Sequence, residues 1–278
     1  MKNFICLFIT LCFSLQSFSQ MKYSLNSGEN NALWYVKDYH KDDLSTKFFN
    51  ETEWIPATVP GTIFVDAVNA GLEKEPNFGD NIYQVDKDKY NKDHIYRLEF
   101  NVPENKDLAQ KRIWLNFDGI NRSGEIYLNN NLLGSLKGMM MRGRFDVTKL
   151  INKKGTNLLS VIVSLPNQRR HPEEKFANLA SPTYLSSAGW DWMPYVPGLN
   201  TGITDNVYLT FTQDVTLQDP WIRTKLHNRA EFAEVEISTE IENCSSRKVV
   251  VELSGVITPG NIKFRKELLL EADTAQTI

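Results

Sequence analysis

From Ile95 the chain alternates strictly, with Tyr96, Leu98, Phe100 and Val102 on one side and Arg97, Glu99 and Asn101 on the other. Successive side chains of a β-strand point to opposite faces, so this period of two predicts a half-buried strand. The pattern returns at Ile113 to Phe117 and at Glu125 to Leu128, ahead of the turn-forming Asn129-Asn-Asn131. It returns again at Leu159 to Leu165, where Val161 and Val163 share a face. Regularly spaced short strands with polar turns between them indicate an all-β sandwich. One helix interrupts them, because Phe64, Val68 and Leu72 recur at four-residue spacing between Gly61 and Gly71, with Thr62 placed to cap it.

A second series of alternating strands comes after a boundary at Gln213 to Pro220. Val235, Ile237, Thr239 and Ile241 form one face, Val249, Val251 and Leu253 another, and Lys263 to Leu270 a third strand. A chain of 278 residues with 41% hydrophobic content supports two cores, which predicts one domain over residues 20–213 and a second over 214–278. The stretch from Gln168 to Ser187 has little periodicity and reads as a long surface loop. Loops beyond about 12–15 residues in a compact domain are usually functional or disordered, and the tryptophan-rich segment immediately after this one favours function.

The first 19 residues read as a secretory signal: Lys2 supplies the positive start, Phe4 to Leu15 the apolar stretch, and Ser17-Phe-Ser19 a small-x-small cleavage site before Gln20. Twelve or so apolar residues fall short of the ~20 that span a bilayer, so no membrane span is expected. The bulky Leu11 before Cys12 argues against a lipoprotein. Secreted or periplasmic location is the expectation. Cleavage leaves Cys244 as the only cysteine, so no intramolecular disulfide is expected. A net charge of −3 offers no basic excess to hold a phosphate backbone, and nucleic acid is not an expected partner.

The chemistry concentrates in Gly189-Trp-Asp-Trp-Met-Pro-Tyr-Val-Pro-Gly-Leu-Asn-Thr-Gly-Ile203. A pyranose has apolar C–H faces that stack on an indole and hydroxyls that a carboxylate holds by charge-assisted hydrogen bonds. Trp190, Asp191 and Trp192 supply both, and the competing role is a Trp-rich plug at the end of a sandwich. His40, His94, His171 and His227 are scattered singly without a zinc-binding pair, and no glycine-rich nucleotide loop or G-x-S-x-G occurs, so neither metal nor cofactor is expected. Glu173 and Glu174 are adjacent in a charged loop and read as a solvated face. Hydrolysis of a glycoside needs two carboxylates across the scissile bond, and no convincing pair presents itself, so no catalytic residue is assigned. Phe117-Asp-Gly119 and the Arg144/Asp146 pair around a buried Phe145 read as scaffold, and Met139-Met-Met141 as packing.

Four segments together resemble glycoside hydrolase family 2, in its β-mannosidase-like branch. They are Trp54-Ile-Pro-Ala-Thr-Val-Pro-Gly61 with Asn77-Phe-Gly-Asp-Asn81; Ile113-Trp-Leu-Asn-Phe-Asp-Gly-Ile120 with Glu125-Ile-Tyr-Leu-Asn-Asn130; Gly143-Arg-Phe-Asp-Val-Thr148; and the Trp190 loop with Thr201-Gly-Ile203 and Asn206-Val-Tyr-Leu209 behind it. They stand in family order over residues 34 to 211. Thr204 departs from the pattern, standing where a Trp commonly follows the Gly-Ile pair. The resemblance implies a jelly-roll, galactose-binding-like β-sandwich followed by an immunoglobulin-like sandwich, and a retaining mechanism without cofactor. It places Asp191 in the subsite for the non-reducing sugar of a β-linked oligosaccharide or glycoside, flanked by Trp190 and Trp192, and not among the catalytic residues. The family's two catalytic glutamates lie in a barrel of about 250 residues, whereas 67 of the 278 residues come after Phe211. The second sandwich, at about four strands, therefore reads as incomplete and the catalytic barrel as a missing partner, leaving the chain alone inactive. A free-standing carbohydrate-binding module and a purely structural extracellular sandwich are the alternatives.

Overall fold

The computed structural model describes residues 21–45, 53–90, 92–104, 111–164, 200–227 and 232–278. In chain order its elements are β1 (Met21–Ser24), β2 (Trp34–Asp38), β3 (Ile55–Ala57), α1 (Ile63–Asn69), β4 (His94–Asn101), β5 (Arg112–Phe117), β6 (Ser123–Leu128), β7 (Asn131–Lys137), β8 (Gly143–Asp146), β9 (Thr156–Ser164) and β10 (Val207–Thr212). The second set is β11 (Val215–His227), β12 (Phe232–Asn243), β13 (Val249–Ile257), β14 (Ile262–Leu270) and β15 (Thr274–Thr277).

The first set makes the sandwich that the alternation predicts. One sheet has six strands in the order β3-β2-β4-β9-β6-β7, and the other has four in the order β1-β10-β5-β8. Their facing side chains form one core: Trp34, Tyr96, Leu98, Ile126, Val161 and Val163 come from the first sheet, and Ile113, Leu115, Phe117, Leu209 and Phe211 from the second. The β6–β7 hairpin turns through Asn129 and Asn130, both at positive φ (50° and 65°), which asparagine tolerates better than most residues and which matches the twist of the flanking strands. Thr62 caps α1 as expected, its Oγ1 accepting from the Val65 N–H at 3.4 Å, and Gly71 lies just past the helix at φ 73°.

The alternation misjudges one strand. β4 is not half-buried over its first half, where His94, Ile95, Tyr96, Arg97 and Leu98 are all enclosed. Its outer face is covered by a second apolar cluster of Trp54, Ile95 and Ile162, flanked by Tyr35, Tyr39, Leu44 and Tyr127. Arg97 lies there with its guanidinium 5.1 Å from the Trp54 ring and donates to the Asp43 carbonyl, so the charge is both stacked and hydrogen-bonded.

The second set forms a three-stranded sheet, β11-β12-β15, and a β13-β14 hairpin. This is five strands where the spacing suggests about four; β15, Thr-Ala-Gln-Thr, carries no apolar alternation to announce it. β11 also runs straight through the expected boundary segment, absorbing Asp219 (φ 47°) and Pro220 in a register shift between Gln218 and Trp221. Ile241 and Leu270 are buried here, whereas Val250, Val256, Ile262 and Leu269 are exposed.

Only Gln213 and Asp214 separate β10 from β11. Three arginines bridge the junction, the most exposed being Arg142, paired with Asp219 of β11 at 2.8 Å. Arg112 donates to Asp146 and Asp214, each at 3.1 Å, and to the Cys244 carbonyl. Arg144 donates to Glu242 at 2.8 Å and Thr216 at 3.3 Å, with its guanidinium 3.3 Å from the Trp114 ring centroid. The Arg144/Asp146 pair is therefore scaffold, as its pattern suggests, but Phe145 between them is only partly buried, because β8 is an edge strand.

Candidate functional site

Trp190, Asp191 and Trp192 lie outside the described residues, as do Glu173 and Glu174. What the structure does describe is the socket from which their segment springs. The chain leaves β9 at Ser164 and is described again from Asn200. Ser164 is held through its carbonyl, which accepts from the Ser123 hydroxyl at 2.9 Å. On the far side, residues 200–206 run as an extended stem between two partners. Toward the 118–121 turn, Asn121 and Gly202 exchange both backbone hydrogen bonds at 2.9 and 2.8 Å, Asn121 Nδ2 donates to the Asn200 carbonyl at 2.7 Å, and Thr204 N donates to the Gly119 carbonyl at 3.2 Å. Toward the helix, Ile63 N donates to the Thr201 carbonyl at 2.9 Å and Gly61 N to that of Ile203 at 2.8 Å.

Glycine at 202 is a steric requirement. A Cβ there would stand 2.5 Å from the Gly61 carbonyl oxygen, 2.8 Å from Thr62 Cα and 3.1 Å from the Tyr96 hydroxyl. Thr201, Gly202 and Ile203 are fully buried, and so is Asn121. Beside them burial alone lowers the Arg122 guanidinium from its ordinary value. The socket thus fixes where the chain re-enters the fold at Asn200, the stem being anchored by backbone hydrogen bonds and by the buried Asn121 side chain.

Beneath the stem sits an unusual acid. Asp66, in the first turn of α1, is fully buried, and its Oδ1 accepts from Thr58 N at 2.7 Å. Burial pushes its carboxyl up to about 7, against the lowering effect of the Thr58 donors. His94 is displaced in the opposite sense: burial outweighs the Asp38 carboxylate 3.5 Å away and brings the imidazole down to about 4.

Beside the stem a depression of about 590 Å³ is lined by Asp118, Met139, Met140, Arg142, Asp205 and Tyr208, among others. Asp118 is held there by the Tyr208 hydroxyl at 3.1 Å and Asn206 Nδ2 at 3.4 Å, and Asp205 accepts from Asn206 Nδ2 at 2.9 Å. Asp118 is thus tied into the scaffold as Phe117-Asp-Gly119 suggests. Met140 and Met141 are exposed and do not pack inward; the run lies on a turn after β7, where no sheet covers it. Sequence reasoning passed over Asp66, whose only signal is an acid on the apolar side of a short helix. No group of three metal-ligating side chains occurs among the described residues, and no described helix is long and apolar enough to cross a membrane.

A two-sheet antiparallel sandwich is a rigid scaffold of the kind on which connecting segments carry function. Residues 34–205, well over half of the chain, match the family described as glycosyl hydrolase 2 galactose-binding domain-like. The chain belongs to that family. Among curated relatives it is 29% identical over 222 residues to the mannosylglycoprotein endo-beta-mannosidase of Lilium longiflorum, covering 74% of this chain and 22% of that one. To the beta-mannosidase B of Aspergillus niger it is 28% identical over 239 residues, covering 80% and 26%. Among solved structures, the beta-D-mannosidase of Dictyoglomus thermophilum superposes with a TM-score of 0.70 at 24% identity, over 93% of this chain and 30% of that one. The exo-chitosanase of Amycolatopsis orientalis does so with a TM-score of 0.72 at 19% identity, over 88% and 27%. At those identities the structural likeness speaks for the fold. The chain spans about a quarter of the length of the curated relatives it matches.

Proposed function

We propose that this chain is the non-catalytic, sugar-binding N-terminal portion of an exported β-mannosidase-like retaining exo-glycosidase, and that Trp190, Asp191 and Trp192 help to form the subsite for the terminal sugar of a β-linked glycoside. The observation that supports the reading is the socket: a stem hydrogen-bonded on both sides lies directly C-terminal to a segment whose composition suits a pyranose. Two indoles offer faces for the C–H surfaces of the ring, and the carboxylate between them accepts from hydroxyls. The bond-breaking carboxylates belong, on this reading, to a barrel outside the chain, where the nucleophile and acid/base would stand about 5–5.5 Å apart. Export is inferred from the Lys2 to Ser19 pattern, with the mature product starting at Gln20 and residing in the periplasm or outside the cell. A free-standing binding module would use the same loop, and the two differ in whether the coding sequence continues into a barrel.

The test is a titration of the chain with β-linked manno-oligosaccharide, monitored by tryptophan fluorescence. Saturable quenching is expected, and Asp191→Asn should weaken it by roughly 10- to 150-fold, the worth of one hydrogen bond to a charged group at about 1.5–3 kcal/mol. Binding that survives Trp190→Ala, Asp191→Asn and Trp192→Ala unchanged would remove the loop from the site. N-terminal sequencing of the exported product checks the cleavage; a product retaining Met1 would overturn it.

A further inference from the structure

Three buried polar atoms lie on the elements that meet at the loop socket, and none has a hydrogen-bond partner among the described residues: Asp66 Oδ2, the Tyr96 hydroxyl and Thr201 Oγ1. All three residues are fully enclosed. They come from three elements that meet at one seam. Asp66 lies one turn into α1, whose first N–H, at Ile63, is bonded to the Thr201 carbonyl. Tyr96 rises from β4 until its oxygen stands 3.1 Å from the point where a Gly202 side chain would begin. An internal water needs two to four polar partners, and Asp66 and Tyr96, which act on each other electrostatically, each leave one buried oxygen unpartnered.

Among the described residues no cation faces Asp66. The groups acting on it are the Thr58 donors at the end of β3, and the one titratable group it acts on in turn is the Tyr96 phenol. On β4, Arg97 turns the other way onto Trp54, and His94 is paired with Asp38. Asp205 on the stem is engaged by Asn206, and α1 carries no other charged residue. A carboxylate enclosed without a counter-charge is costly, and the neutral acid avoids that cost while gaining an O–H donor at Oδ2. The shift of its carboxyl to about 7 agrees with that geometry.

We propose that Asp66 is a positioning residue for the sugar-binding loop: as the neutral acid it donates through an enclosed water to the Tyr96 hydroxyl, which abuts the stem at Gly202, clasping the stem against α1, and its ionisation opens that clasp. The proposal rests on the loop being the sugar site, but the clasp itself can be tested without sugar. Once ionised, the carboxylate must recruit solvent, and the seam available to it is the contact between Ile63 and Thr201.

Amide hydrogen exchange at Ile63 and Gly202, corrected for intrinsic rates, is measured from pH 5.5 to 8.5 in the wild type and in Asp66→Asn. In parallel, the affinity for β-linked manno-oligosaccharide is measured over the same range. The wild type should lose about tenfold in protection, and a similar factor in affinity, as pH rises through about 7. In Asp66→Asn, whose amide still accepts from Thr58 and donates from the second position, both curves should be flat. Protection that does not change with pH in the wild type, or that steps equally in Asp66→Asn, overturns the clasp. If no sugar binds, the loop reading fails and the exchange data alone decide on the clasp. Should the variant not fold, the Asp66 carboxyl is titrated in the wild type by carbon NMR; a midpoint near the ordinary carboxylate value of about 4 overturns the proposal, and one coincident with the exchange step supports it.

Discussion

Replacing Gly202 by alanine is the most direct perturbation of the socket. The new methyl would meet the Gly61 carbonyl oxygen at 2.5 Å and Thr62 Cα at 2.8 Å. Both are backbone atoms, so no side chain can rotate away, and the stem and the Gly61–Thr62 segment must separate by the better part of an ångström. That separation loads two buried hydrogen bonds, Gly61 N to Ile203 O at 2.8 Å and Ile63 N to Thr201 O at 2.9 Å. Overpacking by one methyl costs about 1–3 kcal/mol, and a buried donor left unsatisfied costs about as much. A total of about 3–4 kcal/mol is expected, which for a sandwich of this size lowers the melting temperature by roughly 6–16 °C. Gly28→Ala is the control: Gly28 also has positive φ, at 78°, but nothing lies within 4 Å of its added Cβ, so only the backbone cost of about 1–2 kcal/mol applies. Thermal unfolding monitored by circular dichroism compares the two. If Gly202→Ala melts no lower than Gly28→Ala, the stem is not packed as described and the socket argument fails with it.

His94 sets an acid limit. Its folded value of about 4 lies below the unfolded 6.5, so the stability it contributes is complete above pH 6.5 and is lost as pH falls toward 4, to a maximum of about 3 kcal/mol. Denaturant titrations at pH 7 and 4.5 should show this loss in the wild type and less of it in His94→Gln; equal losses would refute the assignment. Asp66 acts in the opposite direction, its folded value being raised, so stability falls as pH rises from about 4 toward 7, and Asp66→Asn should flatten that limb in the same titrations. At the junction, Arg144→Met removes a partly buried ion pair and the stack on Trp114, for about 1–2 kcal/mol. Faster proteolysis between Thr212 and Val215 is the expected sign, and an unchanged cleavage rate would show that Arg112 and Arg142 suffice without it.

In the first sandwich β4, β5, β6 and β9 were legible because their core faces repeat every second residue within a few positions of one another, whereas β1, β2, β3, β7 and β8 were not read from the sequence. α1 was legible because Thr62 and Gly71 mark both of its ends. Covering the outer face of β4 needs Trp54, some forty residues upstream, and local periodicity carries no trace of such a partner. The pairing of Asn121 with Gly202 is likewise a contact between distant segments: Gly202 stands out in the sequence only as part of Thr201-Gly-Ile203. Trp190, Asp191 and Trp192 could be picked out by composition alone, because aromatic rings around an acid suggest their chemistry wherever the chain places them. The acid beneath the stem could not, since a single Asp on a short helix looks like any exposed one until its surroundings are known.

The two-residue connection between β10 and β11, braced by Arg112 and Arg144, bears on what the Trp190 segment can be used for. A flexible tether of many residues lets two binding elements sample a large volume, and the local concentration of one around the other falls as the tether lengthens. Here almost no slack exists between the sandwich that carries the loop and the strands beyond it. The strands of the second set therefore stand at a nearly fixed distance and bearing from the stem at Asn200, with little orientational entropy left between them. Lengthening the Gln213-Asp214 connection by a few glycines would be expected to change reach and alignment while leaving every contact within each sandwich in place.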